Sequence, residues 1–176
     1  VSGLLLMFLP AAGAASTTSF SDVKESFWAI EEIEHFADYG IVNGYGNGTF
    51  LPNKPVTRAE GAIMLARGLE LDTKNVEAIN YKDFDPSHFA YQEVAAVTNA
   101  GIMQGDKGKF FPNKPLTRAE MATMLINAFE LEGEQTASFK DVSKNDWFYD
   151  AVDAAFTNKL TTGYEDKTFK PNKGTT

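Results

Sequence analysis

Apolar residues fall at helical spacing in five stretches of the chain. In the first, Ala29, Ile30, Ile33, Phe36 and Ala37 form one stripe, with Glu31, Glu32, Glu34 and Asp38 on the opposite side. The second carries Ala62, Ile63, Leu65, Ala66 and Leu69, and the fourth Ala122, Met124, Leu125, Ala128 and Phe129. The third runs about Tyr91–Ala100 through Val94, Ala95 and Val97, and the fifth about Tyr149–Asn158 through Val152, Ala155 and Phe156. Gly40 and Gly101 stand where the first and third helices should stop. Lys159 holds the same place after the fifth, a less favourable residue for a left-handed cap.

The starts of the second and fourth helices are written almost identically. Leu51–Leu65 and Phe111–Leu125 share 11 of 15 residues, and the pattern begins again at Pro171-Asn172-Lys173. Sixty residues separate Thr57 from Thr117, and fifty-nine separate Thr117 from Thr176. The chain is therefore built from a repeat of about sixty residues, of which two and a half copies are present. Pro52 and Pro55 hold their segment extended or turned. Thr57 and Glu60, three residues apart, form the capping-box pattern, so a helix should begin at Arg58 and its twin at Arg118.

Each copy opens with an aromatic residue two before an aspartate, namely Phe20/Asp22, Tyr81/Asp83 and Phe139/Asp141. Eight residues after that aromatic comes another, Trp28, Phe89 or Trp147. A glycine-bearing loop follows the first helix of each copy, containing Gly44, Gly105 and Gly163, where positive φ or close approach of a ligand or another backbone is allowed. Tight turns alone are the competing reason for these glycines. The predicted unit is helix, Gly-rich loop, Pro-Asn-Lys turn and capped helix, with linkers near Leu71–Asn80 and Glu130–Ala137.

Arg58 and Arg118 stand out. A cation in the first turn opposes the helix dipole, at a cost of about 0.3–1 kcal/mol. Placed beside Lys54 and Lys114, with helix N–H groups at hand, these arginines would suit an anion. The alternative is that each pairs with a local carboxylate or stacks on an aromatic ring.

Bulk properties narrow the field. The 176 residues are enough for a real core, and 43% apolar with 12% aromatic residues is an ordinary globular composition. A formal net charge of −8 disfavours a broad nucleic-acid surface, so no nucleic-acid partner is expected. The chain has no cysteine, which excludes disulfides, thiolate metal sites and cysteine catalysis. Residues 1–15, apolar through Leu9 and then rich in alanine, read as the end of a signal peptide cleaved after Ala14 or Ala15. A membrane anchor is the alternative there, and no membrane contact is expected of the mature form.

This pattern strongly resembles the S-layer homology domain of Gram-positive (Bacillus-type) cell-envelope proteins. The resemblance rests on Phe20-Ser21-Asp22-Val23, Trp28, Gly40-Ile41-Val42, the segment Gly44 to Phe50, and Thr57-Arg58-Ala59-Glu60. It covers about Phe20 to Thr176. It implies a mainly α fold in which three tandem repeats, at 18–76, 77–136 and 137–176, make a three-pronged spindle about a pseudo-threefold axis. The third repeat would be truncated, because the sequence stops inside its motif. The resemblance implies non-covalent anchoring of a secreted protein to the wall, with no cofactor and no metal. The implied partner is a secondary cell wall polysaccharide bearing a ketal-pyruvate carboxylate. Lattice neighbours of an S-layer are a further implied partner. On this reading Arg58 and Arg118 meet the ligand, Lys54 and Lys114 add charge, and Gly44, Gly105 and Gly163 let sugar approach the backbone. Trp28 and Trp147 could stack on a sugar face, although core packing is the expected role of both.

Two other classes compete. An enzyme would need carboxylates set apart from the repeat, whereas Glu31/Glu32 and Asp83/Asp85 read as solvated acids and His35 and His88 have no metal-spaced partners. This chain is thus expected not to be an enzyme, the alternative being the anchor of a wall hydrolase whose catalytic domain lies beyond residue 176. A calcium module would need more than Asn47, Asp106 and Asp166 in loops, since no EF-hand spacing is present.

Overall fold

The structure is a computed structural model that describes residues 19–133 and 138–176. The segment read as a signal peptide lies outside them. Among the described residues there are five helices and only isolated β-bridges: α1 (Ile30–Asp38), α2 (Arg58–Gly68), α3 (Tyr91–Asn99), α4 (Arg118–Phe129) and α5 (Tyr149–Thr157). The chain divides into two compact units, one ending at Phe50 and one from Leu51 onward.

In the first unit, Phe20, Val23 and Ile33 are buried against Phe27, Ala29, Ile30, Ala37 and Phe50. Of the predicted α1 stripe only Ile33 is fully buried, and Phe36 remains 45% exposed. Asp22 closes the unit by accepting a hydrogen bond from the Phe50 N–H at 2.7 Å. The Ser21 N–H donates to the Gly48 carbonyl at 3.0 Å.

In the second unit the helices pair across repeats. α2 packs on α3 and α4 packs on α5, so the second helix of one copy lies against the first helix of the next. Small residues make this close contact possible: Ala59, Ala62 and Ala66 of α2 meet a core containing Val94, Ala95 and Val97 of α3. Ala119 and Ala122 of α4 share a second core with Val152 and Ala155 of α5. Phe110 and Phe169, from equivalent loop positions, are the largest fully buried side chains of the two cores. Burial of such a ring contributes on the order of 1.5–3 kcal/mol.

Both predicted capping boxes form. Thr57 Oγ1 accepts from the Glu60 N–H while Glu60 accepts from the Thr57 N–H, and Thr117 with Glu120 repeats the arrangement. The remaining helix-terminal donors are also engaged. Arg58 and Ala59 donate to the Lys114 and Pro112 carbonyls, and Arg118 and Ala119 to those of Lys173 and Pro171, all at 2.9–3.0 Å. Each helix start is therefore plugged by the next Pro-Asn-Lys turn. This corrects the expectation that free N–H groups there would receive an anion.

The three turns also meet one another. The Leu116 N–H donates to the Val56 carbonyl, Thr175 to Leu116, and Val56 to Thr175, each at 2.8 Å. Three equivalent positions are thus joined in a closed ring of hydrogen bonds. Beyond the helix ends, Gly40, Gly101 and Lys159 all adopt left-handed backbone, with φ of 69°, 73° and 60°, so the lysine takes the conformation of the glycine it replaces.

Candidate functional site

The glycine loop of the second repeat, the start of α2 and the flank of α4 enclose a cleft of about 710 Å³. Its shape begins with Asp83, whose carboxylate accepts from the Phe110 and Phe111 N–H groups at 2.8 and 2.9 Å and so fixes the loop's end. Burial raises the Asp83 pKa, but those two backbone bonds, with the Asp83 N–H and the charge of Lys109, bring it below its ordinary value. Tyr81, the opening aromatic of the repeat, lies under Gly105, and its hydroxyl accepts the Gly105 N–H at 3.1 Å.

Arg58 lies beneath this loop, 6% exposed. Its Nε donates to the Phe110 carbonyl at 2.8 Å and one terminal nitrogen to the Gln104 carbonyl at 2.8 Å. The other reaches Glu120 Oε1 at 3.0 Å, and the guanidinium stands 5.0 Å from the centre of the Phe110 ring. Lys114 approaches the same Glu120 oxygen at 3.5 Å and is half exposed at the rim. Burial pushes the Glu120 pKa up, but the Thr117 hydrogen bonds, with Arg58 and Lys114, bring it below its ordinary value. A guanidinium has five donors, and three of those of Arg58 are engaged here. It therefore pairs with a carboxylate and stacks on a ring while it still lines the cleft.

Of the residues singled out in the sequence, the cleft brings together Arg58, Lys114, Gly105 and Trp147. Gln104, Glu120, Thr123 and Asn127 also line it and were missed, as was the place here of Asp106, weighed above only as a calcium ligand. Gln104 and Asp106 could have been found as neighbours of Gly105, but Thr123 and Asn127 needed knowledge of which α4 face stays open. Lys54 lies elsewhere, 3.6 Å from the capping Glu60. Arg118, of the second repeat, takes the equivalent position against the loop of the third. Its Nε donates to the Phe169 carbonyl at 2.8 Å, and a terminal nitrogen reaches Thr161 Oγ1 at 3.4 Å.

The tryptophans correct the sequence reading. Trp28 is 86% exposed and Trp147 is 69% exposed, so neither is a core residue. Their chain neighbours take the inward place: Phe148 is buried beside Trp147, and Phe27 packs in the first core beside Trp28. Phe89, at the same position of the second repeat, is likewise exposed, while Ala90 after it is buried.

The loop glycines have an internal reason. A Cβ at Gly44, Gly105 or Gly163 would come within 2.3–2.5 Å of the Phe20, Tyr81 or Phe139 ring. It would also press on the carbonyl of Thr49, Lys109 or Thr168. The close approach there is by the repeat's own aromatic ring, and Gly105 is the member of the three that also borders the cleft.

His35 packs on Tyr39, and His88 lies between Phe84 and Phe89. Among the described residues no group of three or more His, Asp or Glu side chains could hold a metal ion, and no helix is long and apolar enough to cross a membrane.

The S-layer homology domain model matches residues 19–62, 80–122 and 138–176. The chain is 37% identical over 160 residues to the surface-layer 125 kDa protein of Lysinibacillus sphaericus, covering 89% of this chain and 13% of that protein. It is 34% identical over 187 residues to an endoglucanase of Bacillus sp. (strain KSM-635), covering 98% and 20%. A cellulosome-anchoring protein of Acetivibrio thermocellus is 32% identical over 140 residues, covering 74% and 31%. The chain spans about a fifth or less of the length of the first two relatives.

Proposed function

Since the chain belongs to the S-layer homology family, whose domains are non-catalytic anchors, and is that of a secreted, cell-wall-associated protein, we propose that it holds its parent protein to the wall by binding an anionic secondary cell wall polysaccharide. The observation that carries this reading is the cleft beside Arg58, where cations, an exposed indole and a fixed loop face the same space. Trp147 offers a flat apolar ring for a sugar face. Lys114, at the rim, attracts a carboxylate such as that of a pyruvate ketal. Arg58 holds the Gln104–Gly105 backbone in place and directs its remaining donors at the ligand.

The turns joined at Val56, Leu116 and Thr175 support more than one such binding position. Arg118 then serves the next groove, and the repeats divide near 18–76, 77–136 and 137–176. Several weak sites on one repeating polymer raise the overall avidity without new contacts. The glycosidase names among the relatives favour a second possibility for the whole protein, that these repeats anchor a catalytic domain located elsewhere in it. S-layer lattice neighbours are further partners on the same reading.

The test is a pull-down with Gram-positive cell walls before and after mild acid removal of the ketal and polymer. Binding should vanish with the polymer. It should fall strongly in Trp147→Ala and Lys114→Ala with far-UV circular dichroism unchanged. Retained binding in both folded variants would sink the assignment of this cleft.

A further inference from the structure

Two asparagines of the chain are followed directly by glycine, Asn43 and Asn47, and both lie in the glycine loop of the first repeat. A glycine nitrogen has no side chain beside it to shield it, so it can attack the side-chain amide of the residue before it. The structure sets the two steps apart. At Asn43 the attacking nitrogen belongs to Gly44, which is pressed against the Phe20 ring and the Thr49 carbonyl. A Cβ on Gly44 would lie 2.4 and 2.6 Å from them. At Asn47 the nitrogen belongs to Gly48, and a Cβ there would meet nothing within 4 Å. Gly46, Asn47 and Gly48 are all exposed. The Gly48 N–H is held by the Tyr45 carbonyl at 2.9 Å, an exposed turn bond whose opening frees the nitrogen.

The Asn47 amide is also activated. Its Oδ1 accepts from the Thr49 N–H at 3.2 Å and from Thr49 Oγ1 at 2.7 Å. Attack at Cγ places negative charge on Oδ1, where those two donors already point. The equivalent turn of the third repeat carries an aspartate. There Asp166 Oδ1 accepts from the Thr168 N–H at 3.0 Å and from Thr168 Oγ1 at 2.5 Å, the same pair of bonds.

We propose that Asn47 is a site of spontaneous deamidation, selected over Asn43 by the fold. The Gly48 nitrogen bonds to Asn47 Cγ and gives its proton to water, the Cγ–Nδ2 bond breaks, and Nδ2 takes up a proton and leaves as ammonia. Water then opens the cyclic imide. Opening at Cγ gives aspartate, and opening at the main-chain carbonyl of residue 47 gives isoaspartate, whose main chain is one carbon longer. The two products differ in consequence. Aspartate keeps both Thr49 bonds, as Asp166 keeps those to Thr168. Isoaspartate lengthens the chain between the bridge partners Tyr45 and Thr49, and so disturbs the bonds that tie Gly48 to Ser21 and Phe50 to Asp22. Either product adds a negative charge to a chain already at −8. On the anchoring reading above, that charge weakens the hold on an anionic polymer, so the anchor loosens as the protein ages.

The test is peptide mapping by mass spectrometry of the whole 176-residue chain after incubation at mildly alkaline pH, folded and in urea, with fragment ions placing the mass gain at Asn43 or Asn47. In the folded chain Asn47 should convert several-fold faster than Asn43, to a mixture of aspartate and isoaspartate. In urea the two should convert alike. Thr49→Val removes the hydroxyl donor and should slow conversion at Asn47 in the folded chain but not in urea. Asn47→Asp should leave the melting temperature unchanged. Equal rates at Asn43 and Asn47 in the folded chain, an intact Asn47, or a folded Thr49→Val chain that converts as fast as the parent would overturn the proposal. A converted chain that binds walls as tightly as a fresh one would overturn the ageing role. A fresh chain that fails to bind walls would instead refute the anchoring reading and leave the deamidation standing.

Discussion

Arg58 and Arg118 open the two capped helices with the same Thr-Arg-Ala-Glu sequence, and both send Nε to the carbonyl of a buried phenylalanine. Their surroundings then diverge. Arg58 is buried and tied to Glu120, to the Gln104 carbonyl and to the Phe110 ring. Arg118 is half-buried between two rings, Tyr164 and Phe169, with a long contact to Thr161. Each arginine is thus held by the repeat that follows its own, and the carboxylate that meets Arg58 is the Glu of the next Thr-Arg-Ala-Glu copy.

The largest expected difference follows from that contrast. Arg58→Ala should destabilise the fold by about 3–5 kcal/mol, since it strands a half-buried Glu120 and two backbone carbonyls. Arg118→Ala should cost only about 1–2 kcal/mol. Urea unfolding of the two single variants measures this, and equal losses would erase the distinction. Next come the glycines. Gly105→Ala forces a Cβ into Tyr81 and should cost about 1–3 kcal/mol. Gly163→Ala meets Phe139 and also requires a φ of 72°, adding about 1 kcal/mol more. Matching melting temperatures for the two would mean the backbone angle contributes nothing.

Acid should act on the Arg58 region through Glu120. Its folded pKa lies below the ordinary value of 4.5, so its stabilisation is complete above that value and is lost as pH falls through the folded pKa. Unfolding free energy measured from pH 6 to pH 3 should therefore decline, and Glu120→Gln should flatten the slope. The smallest effect belongs to the third repeat, where Lys167 holds φ at 63° in the place of Gly48. Lys167→Gly should raise stability by about 0.5–1 kcal/mol, read as a slightly higher melting temperature.

The helix starts were legible from local chemistry, because a capping box is complete within four residues. So was the repeat, which needs only identity at a fixed spacing. The tryptophans were not. A large aromatic residue predicts burial on average, and nothing local says that Phe148 and Phe27, one residue away, take the inward place. The role of Asp22, Asp83 and Asp141 was equally hidden, since each bonds backbone N–H groups some 28 residues onward in sequence. The arginine environment fell between the two. Its repetition marked Arg58 as special, but Glu120, its partner, lies 62 residues away.

The ring that joins Val56, Leu116 and Thr175 also bears on how the chain acquires its structure. Val56 and Thr175 are neighbours in space but 119 residues apart in sequence. A chain emerging N-terminus first can form α2 and α3 early, yet Val56 has no acceptor for its N–H until residue 175 arrives. The third turn to appear therefore completes contacts made by the first, and the helices it joins mature together rather than one repeat at a time.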